Sequence, residues 1–251
     1  MAQPEDFISF NFPVVSPAAL TCVGIRLCGD TTAWLHAVQQ FVTEKERAHA
    51  QRFIHPMDAL KHLVGRALVR RTLSASLQRF ISEDFYNTIY GKPFWPYDIM
   101  YFSISHSANM VWTAYCRIGA VGIDIEEVRI IPDILTLAKI FHPEECEEIQ
   151  RQPLKKRTPT FFRCWTRKEA VLKAIGKGLH QSLDSFQVQT KHTKNDWIIS
   201  LPNERTKEQS TPSNSKWSVY DIDIDKEFHC SVAAITPDLT LDVLFIDEWL
   251  N

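Results

Sequence analysis

"VGIDIEE" at residues 121–127 and "FFRCWTRKEAVLKAIGKG" at 161–178 are written in two different periods. Read as a strand, the first points Val121, Ile123 and Ile125 to one face and Gly122, Asp124 and Glu126 to the other. Two carboxylates on one strand face repel unless a cation or a proton separates them. A hard divalent ion such as Mg²⁺ is held by such oxygens together with waters and substrate phosphates. The same pair would also suit the wet end of an antiparallel strand. Wound into a helix, the second stretch lines up Phe161, Trp165, Leu172 and Ile175, with Glu169 and Lys173 one above the other on the flank. Arg163, Arg167 and Ala170 fall on the far side, where solvent is expected. Glu169 can be a third oxygen ligand and Lys173 a cation for phosphate. On spacing alone they can equally be a surface ion pair worth about 0.2–0.5 kcal/mol.

Working outward, Thr43 and Glu46 form a T-x-x-E capping box, so a helix is expected from there toward Phe53. Pro56 restarts the chain into "MDALKHLVGRALVRRTLSASL", where Leu60, Leu63, Val64, Ala67 and Leu68 form an apolar stripe and His62, Arg66 and Arg70 stack away from it. "YGKPFWPYD" (90–98) is a turn region. Strands are expected at 101–105, 110–116 and 120–126, with "RIGA" as a hairpin turn between the last two. Helices are expected at about 133–141 and 143–151, Pro143 opening the second. Gly176-Lys177-Gly178 stops the next helix. Further strand patterns are "SFQVQT", "DWIISL", "KWSVYDI", "FHCSVAAI" and "DVLFI", with a polar loop at 203–215. The expectation is an α+β protein with helices and antiparallel strands in each half, divided near 117–120: a first subdomain 1–119 and a second 120–251.

The chain has 251 residues, 45% of them hydrophobic and 23% charged, which suits one large or two smaller globular domains. A net charge of −2 provides no long-range field to gather nucleic acid or an acidic membrane, so an anionic ligand must be met by a local basic pocket. Six cysteines without a CxxC pair read as reduced thiols. Neither a signal-peptide pattern nor an apolar run of about 20 residues is visible, and a cytoplasmic protein is expected.

The order GKP, FSISHS, VGIDIE, F-x-x-x-E, W-T-R-K-E-A-x-x-K, GKGL, SF resembles the 4′-phosphopantetheinyl transferases, in particular their larger surfactin-synthetase type. The resemblance spans roughly residues 43–235. It implies two similar α+β subdomains related by a pseudo-twofold, with coenzyme A in the cleft between them and Mg²⁺ (or Mn²⁺) on its pyrophosphate. A serine of an apo acyl or peptidyl carrier protein would attack the β-phosphate, and adenosine 3′,5′-bisphosphate would leave. Carried over by motif, Asp124, Glu126 and Glu169 are metal ligands and Lys173 binds the pyrophosphate. Lys92 would contact the nucleotide's phosphate, and Ser105 and His106 the 3′-phosphate. Glu145 falls on the acid that can serve as base for the attacking serine, with Glu144 adjacent; an acid beside Pro143 at a helix N-terminus would look the same.

Ser103 stands where the family's motif usually has asparagine. Among the basic residues before Phe53, Arg52 is the candidate for a coenzyme A phosphate, followed by Arg66, while His62 stands where a small hydroxyl residue can occur. "PLKKR" (153–157) offers positive charge to an acidic carrier, or is a solvated turn. A monomer is expected. Competing readings are a non-catalytic carrier-binding module and a Mg²⁺-dependent phosphohydrolase.

Overall fold

A computed structural model describes Ile8 and residues 11–176, 181–190, 198–200, 217–236 and 239–246. The chain divides into two compact units, residues 1–118 with 240–251, and residues 119–239. The polar segment 203–215, Lys177 and Gly178 lie outside the described residues, as does most of the polar flank of "DWIISL".

In the first unit the sheet order is β11-β1-β5-β4. β1 (Ala19–Arg26) runs antiparallel to β5 (Met110–Cys116), which pairs antiparallel with β4 (Tyr101–Ser107). β11 (Thr240–Ile246) lies parallel to β1 on its other side. This corrects the assignment of residues 240–251 to the second subdomain. β1 is buried along almost its whole length, and its second edge needs a partner to satisfy the backbone groups that burial removes from water. The chain's last strand supplies it. α1 (Thr31–Val38), capped by Asp30, and β1 both come from the opening segment in which no element was anticipated.

α2 (Glu44–Ala50) begins with the expected capping box between Thr43 and Glu46. α3 (Pro56–Leu77) then buries Leu60, Leu63, Val64, Ala67 and Leu68 in the core of the unit. Arg70 does not reach solvent. It is 3% exposed, forks onto Glu46 at 3.1 Å and donates to the carbonyls of Ile81 and Glu83. β2 (Tyr86–Asn87) and β3 (Pro93–Phe94) form a small hairpin that begins before the expected turn region and places a strand inside it.

In the second unit β6 (Val121–Glu127) pairs with β10 (Phe228–Ala234), and β10 with β9 (Ser218–Ile222), all antiparallel. α4 (Ile134–Ala138) and α5 (Pro143–Arg151) precede the long α6 (Leu154–Ile175). α6 starts seven residues before the apolar stripe does, so "PLKKR" is its first turn and not a free loop. It ends at Gly176, whose φ of 80° closes the helix with a bond from its N–H to Leu172 O. β7 (Gln187–Val188) and β8 (Ile198–Ser200) pair beyond it.

Both faces of α6 are covered. Phe161 and Trp165 meet Phe141, while the side carrying Thr166, Arg167 and Ala170 lies on the sheet. The expectation of a solvated Arg167 and Ala170 is therefore wrong. Arg167 is 1% exposed and forks onto Asp221 of β9 at 2.8 and 2.6 Å. That ion pair lets a guanidinium occupy an otherwise apolar interface, as a buried charge must be paired.

Candidate active site

Gly122 decides how closely α6 can approach β6. A Cβ built there would stand 2.0 Å from the Ala170 carbonyl oxygen and 2.4 Å from the Ala174 nitrogen. Helix and strand thus touch backbone to backbone, which only glycine permits. Two residues along the same strand face, Asp124 is brought to the flank of the helix. Its Oδ1 lies 2.6 Å from Lys173 Nζ. Asp124 is 4% exposed, whereas Lys173 and Glu126 are half-buried.

Glu169, one turn before Lys173, joins them. Burial pushes its carboxyl above the ordinary glutamate value, and the charges of Asp124 and Glu126 push it further, against the pull of Lys173. A carboxylate raised by neighbouring carboxylates must share space with them. Glu169 Oε1 is buried and has no hydrogen-bond partner among the described residues. The structure thus brings together Asp124, Glu126, Glu169 and Lys173. Among the described residues, no three carboxylate, imidazole or thiolate groups stand close enough to hold a metal ion as they are. Lys173 Nζ instead lies on Asp124, one cation answering part of the crowding. The donor set is all oxygen and anionic, and one buried oxygen lacks a partner; both features fit a hard divalent cation.

Glu145 is placed differently from its expected role. It is the third residue of α5 and closes a capping box, accepting from His142 N at 3.0 Å. It also accepts from Val188 N and pairs with Lys168 Nζ at 2.8 Å. Glu145 is 3% exposed and both its oxygens are engaged. Burial raises its pKa and Lys168 opposes that rise. Lys168 itself is wholly buried, donating also to the carbonyls of Leu183 and Phe186 and lying 4.3 Å from the Phe186 ring centroid. Glu144 is exposed and accepts from Gln187. Neither Lys168 nor the Arg167–Asp221 pair was singled out from the sequence. In "WTRKEA" they look like ordinary surface charges, and only tertiary packing identifies them.

In the first unit, Gly91 at φ 84° makes the turn that sets Lys92, whose N–H is held by Thr88 Oγ1 at 3.1 Å. Burial lowers Lys92 to about 8. Ser105 and His106 are neighbours on β4, so their side chains leave on opposite faces. Ser105 is buried and His106 exposed. Arg52 is exposed just beyond α2.

Sequence comparisons give the family. A family model described as the 4′-phosphopantetheinyl transferase superfamily matches residues 120–233, and one described as 4′-phosphopantetheinyl transferase, N-terminal, matches 30–117. The chain belongs to the 4′-phosphopantetheinyl transferase superfamily and is an enzyme of that class. Among its relatives, 4′-phosphopantetheinyl transferase Sfp of Bacillus subtilis (strain 168) is 32% identical over 210 residues, covering 82% of this chain and 88% of Sfp. The transferase gsp of Aneurinibacillus migulanus is 33% identical, with 83% of each chain covered. HetI of Nostoc sp. (strain PCC 7120 / SAG 25.82 / UTEX 2576) is 31% identical over 76% of this chain and 78% of its own.

Proposed function

We propose that this protein transfers the 4′-phosphopantetheine group of coenzyme A to a serine hydroxyl of an apo acyl or peptidyl carrier protein, releasing adenosine 3′,5′-bisphosphate. The observation that carries this reading is the convergence of Asp124, Glu126, Glu169 and Lys173 where α6 touches β6. Asp124, Glu126 and Glu169 would hold Mg²⁺, or Mn²⁺. When bound, the ion would offset the charge of the pyrophosphate and make the bisphosphate a better leaving group.

Lys173 is the group to turn from Asp124 to a pyrophosphate oxygen, because a positioned cation favours the state in which negative charge builds up. Lys92, Ser105, His106 and Arg52 are assigned to the phosphates of coenzyme A, His106 being the side chain exposed for it. Glu145 is not given the serine proton, since its oxygens already serve Lys168 and two backbone N–H groups. For the carrier, exposed Leu154, Lys155 and Lys156 at the start of α6 suit an acidic helical partner. One chain carries every residue named, so the reading needs no second copy. No helix among the described residues is long and apolar enough to cross a membrane, and all six cysteines are free thiols, which supports a cytoplasmic site of action.

The test is intact-mass spectrometry of apo carrier proteins incubated with the protein, coenzyme A and Mg²⁺, with and without EDTA. A gain of ~340 Da that EDTA abolishes is expected, the added phosphopantetheine being transferred with the ion's help. Binding of coenzyme A with no gain on any acyl or peptidyl carrier would overturn the transfer reading.

A further inference from the structure

The carboxylate face of the second unit carries an imidazole that the site described above does not use. Where β6 pairs with β10, Gly122 lies opposite Ala233, Asp124 opposite Ser231 and Glu126 opposite His229. Residues directly opposite on antiparallel strands share a face, with their Cβ atoms about 4.5–5.5 Å apart. His229 therefore stands beside Glu126 on the face that holds Asp124, and both Glu126 and His229 are half-buried. Ser231, two residues along the same face, is committed to the scaffold. It meets Thr166 of α6 at 2.9 Å and donates to Asp221, the partner of Arg167, at 3.1 Å.

The first unit shows what this place in the fold requires. In the order of elements β1 and β5 correspond to β6 and β10, and they pair in the same way: Thr21 opposite Tyr115, Val23 opposite Thr113 and Ile25 opposite Val111. Ile25 and Val111 thus occupy the places of Glu126 and His229, and both are wholly buried in one core with the long helix α3. An apolar pair builds the sheet there, so folding calls for neither the carboxylate nor the imidazole. A cross-strand ion pair explains how the two tolerate each other. It gives no reason for them to stand beside Asp124 and Glu169. Carboxylates that hold a metal are themselves held by hydrogen-bond donors, which fix the direction of the ligating oxygen. The all-oxygen set of Asp124, Glu126 and Glu169 suits a hard ion, whereas a nitrogen ligand would suit a softer one. The work left for His229 is that of a donor.

We propose that His229 is a positioning residue of the metal site: its imidazole donates an N–H to one oxygen of Glu126 and so turns the other toward the divalent ion. The proposal rests on the metal reading above and adds a residue of β10 to it. Glu126 is the next to last residue of β6, and its long side chain is not enclosed as that of Asp124 is. A glutamate at such a place gives up rotamer freedom when it takes a ligand. A donor that holds the carboxylate beforehand removes that loss from the binding step and raises the affinity for the ion.

The test is titration of the full chain with Mn²⁺, alone and with coenzyme A present, the free ion being read by electron paramagnetic resonance against coenzyme A without protein. His229→Val, matching Val111 of the first unit, should weaken Mn²⁺ binding about 10–100-fold. His229→Gln keeps an N–H donor and should retain most of the affinity. Unfolding in EDTA, where a metal-positioning role is silent, should place both variants near the wild type. His229→Ala decides the matter if His229→Val does not fold. Unchanged Mn²⁺ affinity in a folded His229→Val overturns the proposal while the metal reading stands. So does an equal loss in His229→Val and His229→Gln. Pulsed resonance of the bound Mn²⁺ that shows a directly coordinated imidazole nitrogen, absent from His229→Val, overturns it too, because His229 would then be a ligand. Failure of the wild-type protein to bind Mn²⁺ under either condition overturns the metal reading and this one with it.

Discussion

Each unit lays a 22-residue helix on its antiparallel strands, and each of these helices is tied by one buried cation to the third residue of a capping-box helix. In the first unit Arg70 of α3 meets Glu46, which caps Thr43. In the second, Lys168 of α6 meets Glu145, which caps His142. The order of elements recurs too: strand, short helix, capping-box helix, long helix, small hairpin, two strands. Among the described residues, the first unit has the arrangement without a carboxylate cluster like that of Asp124, Glu126 and Glu169 beside it. The Glu145–Lys168 pair therefore reads as scaffold, and its resemblance to a catalytic acid follows from where the scaffold places an N3 glutamate. What differs is the approach of helix to strand. Gly65 of α3 fits under the side chain of Ile104, whereas Gly122 of β6 lets two backbones touch. Only the second contact draws a strand carboxylate and two helix side chains into one place.

The largest effect should come from cutting the scaffold pair. Lys168→Met leaves Glu145 buried without its cation and should cost the second unit about 3–5 kcal/mol in denaturant unfolding. Arg70→Met should do the same to the first unit. Pairing Lys168→Met with Glu145→Gln should recover most of the loss, because the uncompensated charge is gone while an acceptor remains for His142 N and Val188 N. The comparison breaks if Glu145→Gln unfolds like the wild type yet abolishes transfer. That result would return Glu145 to the chemistry.

Much of this was legible in the sequence, for reasons that particular residues make plain. The alternation of "VGIDIEE" and the position of Gly122 dictate which side chains share a face, and α6 keeps Glu169 and Lys173 on one flank whatever covers the rest. Thr43 with Glu46 is a local hydrogen-bond pattern and appears as written. Arg167, Lys168 and Arg70 were not legible, because a buried guanidinium or ammonium looks like a surface one until its partner arrives from another element. Asp221, Leu183 and Ile81 are such partners, and no spacing announces them. β11 was assigned to the wrong unit because strand patterning specifies a face but not which sheet edge a chain end will join. Ser105 and His106 read as one motif, yet strand alternation parts their side chains.

A smaller effect on the scaffold, but a sharp one on chemistry, is expected of Glu169→Gln. Transfer should fall on the order of 100-fold in kcat, as for loss of one positioned charge contact. Stability should move the other way. The carboxyl of Glu169 is raised in the folded protein, so the stability it contributes is full below its unfolded value and is lost as pH rises through the folded one. Glutamine never ionises. The variant should therefore melt above the wild type near pH 7, the two converging toward pH 4, and Mg²⁺ should lift the wild-type melting point more than the variant's. Melting curves that differ by the same amount at both pH values would show that the three carboxylates do not crowd one another.

Gly122→Ala asks whether the backbone contact itself sets the site. The added methyl would meet the Ala170 carbonyl and the Ala174 nitrogen, which belong to the helix backbone and cannot swing aside. α6 must lift, at a cost of about 1–3 kcal/mol for overpacking. Lifting also pulls Lys173 and Glu169 off Asp124, so transfer should be lost at temperatures where circular dichroism still shows the folded protein. Gly65→Ala is the control from the other unit. Its methyl would come within 2.8 Å of Ile104 Cγ2, the end of a side chain that can turn, so it should lower stability less and leave transfer in place. Full transfer by Gly122→Ala would mean that α6 can ride outward without disturbing its charged flank. In that case the second unit's chemistry would depend on the side chains of α6 and not on how closely the helix sits on its strand.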